Sequence, residues 1–174
     1  DKTETLTEGN PTVTHFLWAA ESDRQQELKN IFFNLEQQSE HPLAEAVKSY
    51  LAAQKISALS LTDFESLTGR GVRAMYNGET YYAGNQRLLS EFNIPLPQHL
   101  LPEISELQKR AETIIYFAAK EVIAVVAIAD QVKPGSAQAV KELQEQGIAV
   151  YMLTGDNEAT AAAVAAQVGI SNYQ

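Results

Sequence analysis

Ile148-Ala149-Val150-Tyr151-Met152-Leu153-Thr154-Gly155-Asp156-Asn157 is the stretch on which the fold turns. Six mostly apolar residues, Ile148–Leu153, read as a strand, and Thr154-Gly155-Asp156 reads as the turn that ends it. On the far side, Glu158 to Val168 carries helical spacing and is closed by Gly169. On the near side, Pro134 to Gln146 reads as another helix, closed by Gly147. Helix, strand, loop and helix in that order belong to the α/β class. Ligands of open α/β sheets bind at the carboxyl ends of strands. A threonine hydroxyl beside a helix N-terminus suits a phosphate there. Taken alone, the same residues also describe a plain turn with Asp156 as helix cap.

Moving outward, the periodicity changes. Ser57–Leu61, Phe64–Thr68, Val72–Tyr76 and Thr80–Ala83 are short strand-like runs, and Asn77-Gly78 between the last two is a hairpin signal. Thr113–Ala119 and Val122–Ile128 form another expected hairpin around Lys120-Glu121. Helices are expected from Ser22, with Gln25 completing a capping box, from Pro42, over Gln86–Phe92, and after Pro102 to about Ala111. Residues 1–14 read as a strand end and a polar loop broken by Gly9 and Pro11. The chain is thus expected to divide into an α/β domain, residues 1–14 and 129–174, interrupted by an α+β insertion over 15–128.

Besides Thr154-Gly155-Asp156, three groups of residues carry chemistry. Asp1-Lys2-Thr3-Glu4-Thr5-Leu6-Thr7 places a carboxylate before a hydroxyl-rich loop. Such an aspartate can attack phosphorus while the loop holds phosphate oxygens and a metal ion offsets the charge repulsion. His41, just before Pro42, falls at a helix start where N–H groups lack partners. Gly69 and Gly71 flank Arg70, and glycine lets a backbone approach a ligand closely or form a bulge. Each residue has an ordinary structural reading as well: exposed carboxylate, satisfied histidine, bulge.

Composition narrows the partners. The formal net charge is −9, which argues against nucleic acid or anionic lipid. No cysteine is present among the 174 residues, so neither disulfides nor a thiolate metal site is available. No apolar run reaches the roughly 18 residues that span a bilayer. A first residue of Asp with no Met reads as an excised fragment or a cleaved product.

Asp1-Lys2-Thr3 and Thr154-Gly155-Asp156-Asn157, with Asp130 and Lys133 between them, resemble the phosphorylation domain of P-type ATPases, which has the haloacid-dehalogenase-like fold. Ser39-Glu40-His41-Pro42-Leu43-Ala44 resembles the Ser-Glu-His-Pro signature of the heavy-metal subgroup. Gly69-Arg70-Gly71-Val72 and Gly84-Asn85 resemble its later glycine motifs, so that the resemblance runs in order along essentially the whole chain. It implies a partial, Rossmann-like phosphorylation domain with an inserted α+β nucleotide-binding domain built on an antiparallel sheet. It implies ATP and Mg²⁺ as cofactors. Glu36 is then the acidic residue near adenine, and His41 the histidine that orients the nucleotide. Gly69, Gly71, Val72, Gly84 and Asn85 are further pocket positions. Asp1 is the phosphoryl acceptor, Thr3 helps bind Mg²⁺, and Thr154 and Asp156 belong to the phosphate site. The implied partners are the transmembrane and actuator domains of a pump and a transported metal ion, copper first and zinc or cadmium next. The implied location is a cytoplasmic domain of a membrane protein.

Two departures stand out. The family has glycine where this chain has Glu4, and glycine suits a tight loop near phosphate whereas glutamate adds a like charge. The family also continues to a lysine-bearing strand and a Gly-Asp-Gly-x-Asn-Asp motif beyond the last residue here, so the phosphorylation domain is expected to be incomplete. A soluble phosphatase of the same superfamily is a second expectation, opposed by Thr3 where such enzymes carry a second aspartate. A module that binds ATP without turnover is a third.

Overall fold

The computed structural model describes Lys2, residues 4–154 and residues 158–174. Asp1, Thr3 and Asp156, three of the expected site residues, lie outside the described residues. In chain order the elements are β1 (Thr12–Trp18), α1 (Gln25–Glu36), α2 (Pro42–Ala52), β2 (Thr62–Leu67), β3 (Gly71–Tyr76), β4 (Glu79–Gly84), α3 (Gln86–Glu91), a 3-10 turn (Gln98–Leu100), α4 (Leu101–Lys109), β5 (Thr113–Ala118), β6 (Val122–Ala129), α5 (Ser136–Glu145), β7 (Tyr151–Met152), α6 (Glu158–Val168) and β8 (Asn172–Tyr173). They fall into two compact units, one comprising Thr12–Pro102 and Ile114–Ile128, the other Asp1–Pro11, Glu103–Thr113 and Ala129–Gln174.

The larger unit is built on a sheet of order β1-β6-β5-β4-β3-β2, antiparallel at each pair from β2 to β5. The Asn77-Gly78 signal holds. Asn77 has φ +49° and Gly78 φ +79°, the two left-handed residues that a two-residue hairpin turn requires, and Tyr76 pairs with Glu79 across it. Strand alternation sends Val72, Ala74, Tyr81, Ala83, Ile115, Phe117, Ala124, Val126 and Ile128 into one core. Leu28, Ile31, Phe32 and Leu35 of α1 and Ala46, Val47 and Leu51 of α2 fill it from the helical side at the expected spacing. Phe32 stacks on Phe117 with ring centroids 4.5 Å apart. Burying each such side chain contributes roughly 2 kcal/mol, so the helices that carry Glu36 and His41 are firmly seated.

Three sequence expectations for this unit are corrected. Thr12–Trp18, expected as loop and unassigned chain, is strand β1 at the sheet's edge. Ser57–Leu61 is not a strand. Its backbone is instead tied to α1 by two asparagines one helical turn apart. The Ser57 N–H donates to Asn30 Oδ1 at 3.1 Å, the Leu59 N–H to Asn34 Oδ1 at 3.1 Å, and Asn34 Nδ2 donates to the Ser57 carbonyl at 3.0 Å. Side-chain amides supply what a neighbouring strand would have supplied. Helix α1 begins at Gln25 rather than Ser22, because the Ser22 hydroxyl accepts from the Arg24 N–H in a preceding turn and the N-cap Arg24 makes no side-chain cap.

In the smaller unit α5 and α6 pack through Val140, Ala161, Val164, Ala165 and Val168 around the fully buried Met152. Gly147 (φ +79°) and Gly169 (φ +76°) end the two helices, as expected. The apolar run Ile148–Leu153 departs from expectation. Only Tyr151–Met152 is strand, paired in parallel with β8, while Ile148, Tyr151 and Leu153 are 48%, 67% and 57% exposed. Helix α5 starts at Ser136, two residues after Pro134, behind a turn closed by the Ser136 N–H on the Lys133 carbonyl. Among the described residues no helix is long and apolar enough to cross a membrane.

Candidate functional site

The larger unit gathers its candidate residues at two places. The first is the loop from α1 to α2, where a relay of short-range hydrogen bonds explains the residue types. The Ser39 N–H donates to the Glu36 carbonyl at 3.0 Å, and the His41 N–H donates to Ser39 Oγ at 3.3 Å. The Leu43 N–H donates to His41 Nδ1 at 3.2 Å. His41 is therefore the N-cap of α2, with extended backbone (φ −72°, ψ 137°), and Pro42 occupies the first helical position, where its missing N–H costs nothing. Ser39 holds the histidine and the histidine caps the helix. The imidazole itself is exposed.

Glu36 is the last residue of α1 and is 5% exposed. Burial pushes its carboxyl up to about 7, opposed only by Lys48 of α2. The Lys48 ammonium is engaged by Glu45 at 2.6 Å, which leaves Glu36 little of its charge. The carbonyl end of α1 also disfavours a negative charge there. Burial thus favours the protonated form, which can both donate and accept a hydrogen bond.

The second place is the junction of β2, β3, β4 and α3. Asn85 caps α3 through Oδ1, accepting from the Arg87 and Leu88 N–H groups at 3.0 and 3.3 Å. Its Nδ2 donates to the Gly69 carbonyl at 2.9 Å, and its own N–H donates to the Arg70 carbonyl at 2.9 Å. One asparagine thus fastens the Gly69–Gly71 turn to the start of α3, and an Arg70–Glu91 ion pair adds a second tie. The glycines have different causes. Gly71 pairs directly with Gly84 across the ladder. A Cβ on Gly71 would fall 2.1 Å from the Ala83 carbonyl oxygen, and one on Gly84 would fall 2.1 Å from the Arg70 carbonyl oxygen. Both are glycine because two backbones touch. Gly69 has φ +70° and nothing within 4 Å of a built Cβ, so it is selected by conformation and leaves open space at the turn. Val72, by contrast, is buried in the core shared with α1 and α2.

In the smaller unit the loop of residues 4–10 is laced to residues 130–136. Thr7 Oγ1 donates to Asp130 Oδ2 at 2.6 Å and the Asn10 N–H donates to Asp130 Oδ1 at 3.2 Å. The Lys133 ammonium donates to the Glu4 carbonyl, the Lys133 N–H to the Leu6 carbonyl at 2.9 Å, and Ser136 Oγ to the Leu6 carbonyl at 2.8 Å. The Lys2 N–H donates to the Leu153 carbonyl at 3.1 Å, so the loop runs beside the strand end that leads to Thr154. Glu4 has φ +62°, a left-handed conformation that glycine adopts freely and glutamate does not. Among the described residues no group of three or more His, Cys, Asp or Glu side chains could hold a metal ion. Asp1, Thr3 and Asp156 stand outside that statement.

Sequence reasoning named Asp130, Lys133 and Asn85 without seeing how each acts as a fastener. It missed Lys48 and Ser39's bond to His41; the spacing of Ser39 two residues before a capping residue was the available signal.

Comparison with known proteins gives a consistent result. The family model for haloacid dehalogenase-like hydrolases matches residues 1–173. The probable copper-transporting ATPase PacS of Synechocystis sp. is 40% identical over 98% of this chain and 24% of its own length. A probable cadmium-transporting ATPase of Listeria monocytogenes is 39% identical over 100% of this chain and 26% of its own. A crystal structure of a zinc-transporting PIB-type ATPase in its E2.Pi state superposes on all of this chain and 28% of that one, with a TM-score of 0.72 and 28% sequence identity. The chain spans about a quarter of the length of these relatives.

Proposed function

Because the chain belongs to the haloacid dehalogenase-like hydrolase family and matches heavy-metal P-type ATPases over nearly its whole length, we propose that its larger unit is an ATP-binding domain and its smaller unit carries the phosphoryl acceptor Asp1. The observation that carries this reading is the α1–α2 loop: a buried Glu36 at the end of α1 and an exposed His41 that caps α2 five residues later. A carboxyl that burial pushes toward its protonated form suits a purine edge, which presents a donor and an acceptor side by side. The open turn at Gly69 gives a nucleotide backbone to lie against.

In the intact pump the γ-phosphoryl group would pass to Asp1, with the loop of residues 4–8, tied to Asp130 and Lys133, helping to set that carboxylate's position. Thr154 and Asp156 would line the phosphate side, and Mg²⁺, held with help from Thr3, would offset the polyphosphate charge. Phosphoryl transfer asks mainly for positioning and charge neutralisation, which this division of labour supplies. The unit would serve as a cytoplasmic domain beside transmembrane and actuator domains, with a heavy-metal ion as cargo, copper first, since the relatives named above are described as a probable copper-transporting, a probable cadmium-transporting and a zinc-transporting ATPase.

Calorimetric titration of the chain with ATP tests the reading. Saturable binding that is weakened by His41→Ala supports it, and no binding by the native chain overturns it. For the acceptor step, Glu4→Gly should raise phosphoenzyme formation in a longer protein; equal levels with Glu4 and with glycine would contradict the part given to this loop.

A further inference from the structure

Helix α1 has neither of the usual end fastenings. Its N-cap, Arg24, makes no side-chain cap, and its C-cap, Gln37, is right-handed (φ −62°, ψ −25°) where a left-handed glycine would close a helix. Its apolar face is buried through Leu28, Ile31, Phe32 and Leu35, but apolar burial is non-directional and does not by itself hold a helix against sliding along its axis. Directed bonds do that, and on α1 they come from one row of side-chain amides. Gln26 Nε2 donates to the Lys55 carbonyl at 2.8 Å, Asn30 Oδ1 accepts from the Ser57 N–H, and Asn34 accepts from the Leu59 N–H while donating to the Ser57 carbonyl. The row is also joined lengthwise: Gln26 Nε2 donates to Asn30 Oδ1 at 3.3 Å, and Asn34 Nδ2 to the Asn30 carbonyl at 2.7 Å.

The spacing explains why the row works. Residues 26, 30 and 34 are four apart on a helix, an advance of about 6 Å per step. Residues 55, 57 and 59 are two apart, an advance of about 6.6 Å per step in extended chain. The two rises match closely enough for three rungs, and both numberings increase together, so the segment runs along α1 as a parallel strand runs along its neighbour. Ile56 and Leu59 pack on the core of the larger unit and anchor the segment itself. The last rung, Asn34, is buried and stands in the final turn of α1, two residues before Glu36.

We propose that Asn34, through its bonds to Ser57 and Leu59, is a positioning residue for nucleotide binding: it ties the last turn of α1 to the 55–59 segment and so sets where Glu36 and the loop to α2 stand. This rests on the nucleotide-binding reading of the larger unit. It adds a determinant of affinity that acts without touching ligand and reaches the loop from a segment outside it. Asn30 acts the same way one turn further from the loop, with a smaller share. Coupling of this kind is reciprocal, so ligand at the loop tightens the 55–59 segment in return.

The experiment compares the full chain with Asn34→Ala, Asn30→Ala and Gly78→Ala, by calorimetric titration with ADP below the melting transition and by amide exchange. Gly78→Ala puts a side chain on a left-handed residue of the β3–β4 turn, so it loses stability outside α1 and the 55–59 segment. Asn34→Ala is expected to weaken ADP binding roughly fivefold. It is also expected to speed exchange of the Gln37 and Ser39 N–H groups, which donate to the Phe33 and Glu36 carbonyls, while Val47 and Phe117 stay protected. Asn30→Ala shifts affinity in the same direction by less, and Gly78→Ala melts earlier but binds ADP as the native chain does. ADP added to the native chain slows exchange at Leu59. Should Asn34→Ala not fold, Asn30→Ala decides by the same measure. Asparagine variants that melt earlier yet bind ADP as tightly as the native chain overturn the inference and leave the proposed function standing. An equal loss of affinity in Gly78→Ala overturns it too, by reducing the effect to stability. No ADP binding by the native chain overturns the proposed function and this inference with it.

Discussion

In the larger unit Phe32, Phe117, Tyr81 and Leu35 are all but sealed from solvent and the helices bearing Glu36 and His41 are packed on a six-stranded sheet. In the smaller unit β7 is two residues long, Tyr151 is 67% exposed, and the loop of residues 4–10 is held by polar bonds to Asp130, Lys133 and Ser136, by a backbone bridge between Thr7 and Val132 and by Leu6 packed on the unit's core. The two regions position their functional segments by different physics. Apolar packing fixes the first site from behind, leaving short polar relays only to aim single side chains. Directed hydrogen bonds carry more of the second, and two charged groups, Asp130 and Lys133, supply several of them. The first should tolerate changes in salt and surface charge; the second should not.

The sharpest way to break the contrast lies among the glycines of the larger unit. Gly71→Ala or Gly84→Ala should cost roughly 3 kcal/mol or more in urea unfolding, because the new Cβ must displace backbone. Gly69→Ala should cost only about 1 kcal/mol, the price of a left-handed alanine. If all three cost the same, the distinction between a backbone contact and an open turn is wrong.

Glu36 comes next. Its carboxyl is raised by burial to about 7 in the folded chain from an ordinary 4.5, so the folded state binds more protons between those values. Its favourable contribution is present below the lower value and is lost as pH rises through the higher one. Glu36→Gln should therefore be near neutral at pH 5 and stabilising by up to roughly 3 kcal/mol at pH 9. A pH-independent difference would show that the carboxyl is not desolvated as described.

Asp130→Asn should loosen the smaller unit alone. Losing charge-assisted bonds from Thr7 and Asn10 should cost about 2 kcal/mol, read as faster amide exchange over residues 4–10 with the larger unit's core protection unchanged. Protection lost equally in both units would erase the proposed difference. Smallest of the set, Glu4→Gly should relieve the left-handed strain and raise stability by about 1 kcal/mol. No gain would mean that the surrounding loop already accommodates glutamate at that angle.

How much of this was legible in the sequence depended on whether the governing interaction was local. Asn77-Gly78 announced its turn and Pro42 its helix, since both act through their own backbone. Strand β1 was hidden because Pro11 and the threonines after it read as loop, and only pairing at the sheet edge makes them strand. Ser57–Leu61 has strand composition, but Asn30 and Asn34 took its backbone groups first. Ile148–Leu153 looked buried by composition, yet burial depends on what covers it. Glycine at 71 and 84 was visible, and its cause was not, because the two face each other only once the β3–β4 register is known.

Whether the α1–α2 loop and the glycine turn of the larger unit recognise nucleotide, as proposed, is read by mapping amide chemical shifts during an ADP titration. Leu43, Gly69, Gly71 and Asn85 are expected to move together and saturate, while Val140 and Val164 in the core of the smaller unit stay fixed. Shifts confined to the smaller unit, or none at all, would contradict that reading.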